Sequence, residues 1–289
     1  MFIKKSVVPF LFLFSHLCSA DITVTDDSNS IISLQQPATR IVSLSPGTTE
    51  LIFAAGGGKY VKGVVSYSDY PPAAKSLPQV GSYNAIDLEK ILSLKPDLIV
   101  AWESGNPPLQ ISKLKKMGFT VFMSEPRDFA DIPKTLRNLG RLMHTEKVAE
   151  SNAHQFESKL KSLEEKFTGK FETKSVFIQI WNEPVMSVSG KHLISKIIEK
   201  CNGENIFKDY PQLTLSPNIE TIIVKNPDII IASREGKIGK KWLKRWKKWP
   251  FLTAVKNGHL FTANPDNLVR HTPRVLQGME QVCLLINKP

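Results

Sequence analysis

Six histidines, at positions 16, 144, 154, 192, 259 and 271, are the first residues to weigh for metal or proton-transfer chemistry. They show no paired metal-ligand spacing, and no Gly-x-Ser-x-Gly elbow or Walker-type loop is present. Gly56, Gly57 and Gly58 follow an apolar helical run, where they read as its stop rather than as a phosphate cradle. The expectation is a binding protein with no catalytic residues, no metal and no cofactor, and not an enzyme. Binding chemistry then falls to aromatic and charged side chains. Trp102 and Trp181 each follow an apolar strand pattern and should open towards a cleft. Glu89 and Glu220 stand at matched points of an internal repeat.

The densest charge lies at Lys237, Lys240, Lys241, Lys244, Arg245, Lys247 and Lys248, around Trp242, Trp246 and Trp249. Cations interleaved with aromatics would suit nucleic acid or an anionic membrane surface. The tryptophan spacing equally suits an amphipathic helix that docks its rings on its own domain and leaves the lysines in water, and this reading is preferred. Of three cysteines, Cys18 falls in an N-terminal segment that reads as a signal peptide for export, and the remaining even pair, Cys201 and Cys283, favours a disulfide over two buried free thiols.

The elements that position these residues alternate. Strand patterns at 41–44, 61–65, 98–102 and 120–123 are interleaved with helical patterns near 51–54, 87–94 and 109–117, which predicts a parallel α/β layer. Thr48 or Thr49 is read as the cap of the first helix. From Glu146 to Phe167 the apolar residues Ala149, Ala153, Phe156, Leu160, Leu163 and Phe167 are spaced alternately 4 and 3, a single helical stripe of about 33 Å. A second α/β pattern begins at Ser175. The segment Asp87–Trp102 reappears as Asn218–Ser233, with the Pro-Asp pair kept at Pro96-Asp97 and Pro227-Asp228. Two copies make a duplicated lobe rather than a solenoid. Two equivalent lobes leave a cleft, a favoured place for a ligand.

Lys4 and Lys5, the apolar run Val7 to Phe14 and the small residues Cys18-Ser19-Ala20 read as a cleaved signal peptide. Loss of its two lysines lowers the formal net charge from +11 to +9. The expected division is a signal peptide at 1–20, a flexible lead-in at 21–37, an N-terminal lobe at 38–143, a linking helix at 144–169 and a C-terminal lobe at 170–289.

Several motifs are similar to those of a known family. They are Arg40-Ile-Val-Ser-Leu-Ser-Pro46, Ser66-Tyr-Ser-Asp-Tyr-Pro-Pro72, Val80-Gly-Ser82, Lys95-Pro-Asp-Leu-Ile-Val-Ala-Trp102, Cys201-Asn-Gly-Glu-Asn-Ile-Phe207 and Pro273-Arg274. The chain resembles the periplasmic vitamin B12-binding proteins, within a helix-linked class that also carries siderophores and haem. The resemblance covers roughly 40–289. It implies two Rossmann-like lobes joined by one long α-helix, with cobalamin held non-covalently in the interlobe cleft. It also implies a monomer in the periplasm, with an ABC importer (permease dimer and ATPase subunits) as partner and no nucleic acid. By the same resemblance Tyr67 packs against the corrin, and Asp266, Asn267, Leu268, Val269 and Arg270 form a ligand loop. Glu89 and Glu220 dock onto the permease, and Cys201 and Cys283 form the family's disulfide. Tyr83 stands where the best-known members place a tryptophan, and both the 266–270 loop and the stretch Tyr210–Ser216 lack the aromatics of relatives. The alternatives are a ferric siderophore or haem, favoured by Arg270, His271 and Arg274, and an exported nucleic-acid or membrane-surface binder using 237–249.

Overall fold

Eight short strands form two parallel sheets with the same order. The first sheet runs Val61–Val64, Ile41–Ser43, Leu98–Trp102, Val121–Ser124, and every neighbour pair is parallel. The second runs Gly203–Asn205, Lys174–Gln179, Ile229–Ala232, Leu260–Thr262, again all parallel. In each, the first strand in sequence sits between the second and the third. The computed structural model describes residues 21–288, so the segment read as a signal peptide lies outside the described residues. No described helix is long and apolar enough to cross a membrane.

The repeat has a physical cause in both lobes. Asp87 and Asn218 cap the helices Leu88–Leu94 and Ile219–Lys225, accepting from Lys90 N at 3.0 Å and Thr221 N at 2.8 Å. Each helix ends on a left-handed residue, Lys95 or Asn226. The proline that follows prevents continuation, and the aspartate after it ties the next strand to the first strand of its sheet. Asp97 accepts from Thr39 N at 2.8 Å and Arg40 N at 3.0 Å, and Asp228 accepts from Ser175 N at 2.8 Å. The strands then run into the core with both faces covered, so they read as continuous apolar runs.

Helix Glu146–Phe167 joins the lobes, within the span 144–169 expected for it. Its buried residues are Ala149, Ala153, Phe156, Leu163 and Phe167, while Leu160 is half-buried. One apolar core runs from Leu98, Val100 and Phe122 of the first lobe past Phe156 and Phe167 to Val176, Ile178 and Ile229 of the second. Burying each large side chain of the stripe contributes about 1.5–3 kcal/mol. Separate cores cover the outer sheet faces, around Ile99 in the first lobe and around Phe177 and Ile230 in the second.

Two features depart from the expectations. The stretch 21–37 is not a loose lead-in: Ile22–Thr25 and Ile31–Leu34 pair as an antiparallel hairpin. Val24, Ile32 and Leu34 face inward at alternate positions, and the polar run between the strands is the turn. Asp26 closes that turn, accepting from Ser28 N and Ser30 N, and anchors it by accepting from Met123 N at 3.0 Å. The second departure is helix Asp131–Met143, which carries Pro133 in its first turn and packs on the linking helix. Arg137 of this helix reaches both Glu150 and Glu157 of the linking helix at 2.8 Å. The two carboxylates hold the Arg137 guanidinium charged well above the arginine range and are themselves pulled below the usual carboxylate range.

Candidate functional site

The helix Pro46–Ala54 opens the site. Its cap is Ser45, one turn before the threonines expected to serve, because Pro46 is preset for the first helical position. Ser45 Oγ accepts from Thr48 N at 3.0 Å, and Thr48 Oγ1 accepts from Ser45 N at 3.0 Å. Thus fixed, the helix carries Glu50 inward, and its carboxylate is almost fully buried.

Glu50 is satisfied by the other lobe. Arg274 donates to it through Nε at 2.9 Å and Nη2 at 2.6 Å, a two-pronged pair. Arg270 Nη1 donates at 3.0 Å, and Thr272 Oγ1 donates at 3.0 Å. Arg270 reaches further into the first lobe, to Asp69 at 2.7 Å and the Tyr67 carbonyl at 3.3 Å, while Asp266 of its own lobe closes on Nη2 at 3.0 Å. Burial works against the charge on Arg270, but Asp69 and Glu50 outweigh it and hold the guanidinium charged above the ordinary range. Burial likewise raises the Asp69 carboxyl less than Arg270 lowers it, so it ends below the usual range. Arg274 also lies over the Tyr70 ring, 4.0 Å from its centroid.

Beside this hub, His271 Nδ1 donates to the Pro126 carbonyl of the first lobe at 2.7 Å. The ring of His192 meets His271 edge-on at 4.8 Å between centroids. Burial pushes both imidazoles below the ordinary histidine range, His192 furthest, so the contact is made by neutral rings.

These contacts place the carboxyl ends of the two sheets opposite each other. Tyr67 lies three residues beyond strand Val61–Val64, Trp102 ends its strand, Trp181 lies two residues beyond Lys174–Gln179, and Asp266 lies four beyond Leu260–Thr262. That edge of a parallel sheet is where open α/β folds bind ligands. Tyr67 is 78 % exposed and holds a left-handed backbone at φ 65°, a conformation that a residue with a side chain rarely adopts. Arg270, by binding its carbonyl and the following Asp69, is the group across the cleft that supports it.

Tyr83 and Trp102 come together as one aromatic face, with ring centroids 5.8 Å apart and tilted by 48°. Asn106 builds the pair, accepting from Trp102 N at 2.7 Å and donating to the carbonyls of Tyr83 and Leu44, both at 2.8 Å. In the second lobe Trp181 is 54 % exposed and rests against Trp242 at 6.3 Å. Val269 is exposed, and Asn267 is half-buried. Leu268, expected in a ligand loop, is instead fully buried in the core with Met279, on the inner side of the short helix Asp266–Val269. Glu89 and Glu220 are exposed, each in the first turn of its lobe's repeated helix. Cys201 and Cys283 form a disulfide in the second lobe. A separate open pocket of about 500 Å³ lies against the linking helix, lined among others by Phe53, Tyr70, Phe156, Lys159 and Gln277. It shares Glu50 and Arg274 with the hub, but none of Tyr67, Tyr83, Trp102 and Trp181 borders it.

A family model described as "Periplasmic binding protein" matches residues 41–267. The chain belongs to the periplasmic binding protein family. It is 37 % identical over 259 residues to the vitamin B12-binding protein of Vibrio cholerae, covering 88 % of this chain and 91 % of that one. A crystal structure of the periplasmic vitamin B12-binding protein from Vibrio cholerae matches with a TM-score of 0.81 at 36 % identity, over 86 % of this chain and 97 % of that one. A periplasmic heme-binding protein from Roseiflexus shares the fold at a TM-score of 0.75 and 23 % identity, over 86 % of this chain and 98 % of its own.

In this periplasmic binding protein the Trp/Lys tract is no aromatic platform. Trp242 and Trp246 of helix Gly236–Trp246 are buried over the second sheet, and Trp246 Nε1 donates to Gln179 Oε1 at 3.0 Å. Trp242 and Trp246 are core, as the amphipathic reading expects, and Trp249 is half-buried against them, so the tract offers no continuous aromatic face to bases or acyl chains. No local residue pattern marks Glu50, Asp69 or Tyr70 as site residues. Glu50 lies in the second turn of its helix with no local partner to mark it, and its partners lie more than 200 residues away in sequence.

Proposed function

We propose that this chain is the extracytoplasmic substrate-binding subunit of an ABC-type importer and captures vitamin B12 in the interlobe cleft. Residues 1–20 would direct export to the periplasm and be removed, and the mature protein would act as a monomer, without chemistry of its own. The observation that carries the ligand class is the state of the two cleft arginines. Arg270 and Arg274 are both engaged by Glu50, and Arg270 by Asp69 and Asp266 as well. They therefore serve each lobe's hold on the other rather than a ferric siderophore or a haem propionate. What remains at the sheet edges is aromatic: Tyr67, the Tyr83–Trp102 pair and Trp181. Such rings suit the apolar face and edges of a corrinoid, held non-covalently, with Asp266 and Asn267 at the rim for its amide side chains. The curated relatives named as vitamin B12-binding proteins support this reading. Glu89 and Glu220 would meet basic residues of a two-fold permease, one acid from each lobe.

Titration with cyanocobalamin, followed by calorimetry, tests the assignment. Saturable one-to-one binding at micromolar concentration or tighter is expected, and Tyr67→Ala should weaken it by roughly tenfold or more, about the loss of one stacked ring. No cyanocobalamin binding, with tight haem or siderophore binding in its place, would sink it. Replacing Glu89 and Glu220 together by glutamine should leave cyanocobalamin affinity unchanged and lower stimulation of the importer's ATPase. An equal loss of affinity would remove the docking role.

A further inference from the structure

We infer that the lysine face of helix Gly236–Trp246 is a contact surface for the anionic phospholipid headgroups that border the docking contact. At 100° per residue, Lys237, Lys240, Lys241 and Lys244 fall within an arc of roughly 100°, opposite Gly239, Trp242, Leu243 and Trp246. The second set is buried and the first is exposed, so the four ammonium groups project straight away from the protein. They stand three and four residues apart, where like charges disfavour a helix. The buried tryptophans, not the charges, hold the helix in place. No ion pair reaches Lys237, Lys240, Lys241 or Lys244 among the described residues. The nearest acid in sequence, Glu235, receives Asn264 and Gln281. An uncompensated cationic stripe about 10 Å long is complementary to a layer of phosphates.

Position decides among anionic partners. Helix Ile219–Lys225, which carries Glu220, and the lysine helix pack through Ile222, Trp242 and Trp246 over one face of the second sheet. The first precedes strand Ile229–Ala232 and the second follows it, so both begin at the carboxyl edge of the sheet. Lys237, in the first turn of its helix as Glu220 is in its own, therefore lies at the same edge of the sheet as that acid, with Lys240 and Lys241 about one turn further on. The inference rests on the docking role given to Glu220: when that acid sits on a membrane-embedded permease, the stripe flanks the contact, over the surrounding bilayer. Ile238, half exposed beside the stripe, adds an apolar neighbour of the kind found at membrane surfaces. Nucleic acid lacks this positional argument, and two of the three tryptophans that would stack on its bases are buried.

Co-sedimentation with vesicles tests the surface without the importer. At low salt the full mature chain should pellet with phosphatidylcholine vesicles containing about one third phosphatidylglycerol and not with pure phosphatidylcholine. The binding should fade as ionic strength rises. Replacing Lys237, Lys240, Lys241 and Lys244 by glutamine should lower partition by several hundredfold, roughly fivefold per lysine. Replacing the same four by arginine should retain it. Far-UV circular dichroism and an unchanged cyanocobalamin affinity establish that the glutamine variant is folded. Equal pelleting with both vesicle types, an unaltered glutamine variant, or tighter binding to a single-stranded oligonucleotide than to the anionic vesicles would overturn the inference. A chain that binds anionic vesicles but not cyanocobalamin would leave the surface standing and remove the ligand assignment. A Glu89→Gln/Glu220→Gln variant that keeps vesicle binding but loses ATPase stimulation would support two adjoining contacts. One that loses vesicle binding as well would show that the stripe is not the determinant.

Discussion

Replacing Glu50 by alanine is expected to destabilise the protein by about 3–5 kcal/mol, the usual cost of removing one partner from a buried charged cluster. Arg270 and Arg274 have side-chain exposures of only 11 % and 18 %, and the substitution would leave the shared acceptor of both missing. Thr272 Oγ1 would lose its acceptor as well. Urea denaturation of the wild type and the variant at neutral pH measures the loss. The effect belongs to the cluster and not to the carboxylate alone, so a Glu50→Leu/Arg274→Met double variant should lose less than the sum of its two single variants. A loss under about 1 kcal/mol for Glu50→Ala would mean that water or neighbouring acids replace the carboxylate, contrary to its burial. Because Glu50 is on the first lobe and its donors are on the second, the variant should also loosen the relation between lobes. Arg270 would then hold Tyr67 less firmly, and cyanocobalamin affinity would fall together with stability.

The second large effect is expected from the disulfide. Cys201 follows helix Leu193–Lys200, Cys283 lies in helix Val275–Ile286, and the bond between them spans 82 residues of the second lobe. Closing a loop of that length stabilises the native state by about 4 kcal/mol on the chain-entropy account. A Cys201→Ala/Cys283→Ala variant should unfold at correspondingly lower denaturant. The wild type in a thiol reductant strong enough to open a fully buried bond should behave the same way. Coincident unfolding curves for wild type and variant would show that the denatured chain gains nothing from release. Asn287, which donates to the carbonyls of both cysteines, keeps the two helix ends together in either case. The variant should therefore fold to the same structure and retain its ligand.

Much of the architecture was legible because it depends on local rules. The paired Asp87–Trp102 and Asn218–Ser233 segments carry a cap, a proline stop and an apolar run in each copy. Those features make the same helix and strand wherever they occur. The linking helix was equally plain, since its apolar stripe has only one period that fits. The hairpin at 22–34 was not read, because a polar turn of Asp26 to Ser30 hid the alternation on either side of it. Leu268 falls within the ligand loop that the family resemblance implies, yet its side chain turns into the core. Its burial follows from the turn of a four-residue helix, which no residue pattern of that length specifies.

What residue order determined by itself was therefore the two α/β halves, the helix between them, the matched acids Glu89 and Glu220, and the aromatic candidates of each half. Period, capping and proline placement act over a few residues, and the chain states them directly. Tertiary structure alone decided which cations are available. Arg270 and Arg274 look free in the sequence and are consumed by Glu50. Lys237, Lys240, Lys241 and Lys244 look like part of an aromatic–basic motif and are left alone on the surface when Trp242 and Trp246 enter the core. The reason is the same in both cases: a charge is neutralised by whatever lies within a few ångströms, and across a cleft or around a helix that distance is set by packing rather than by sequence.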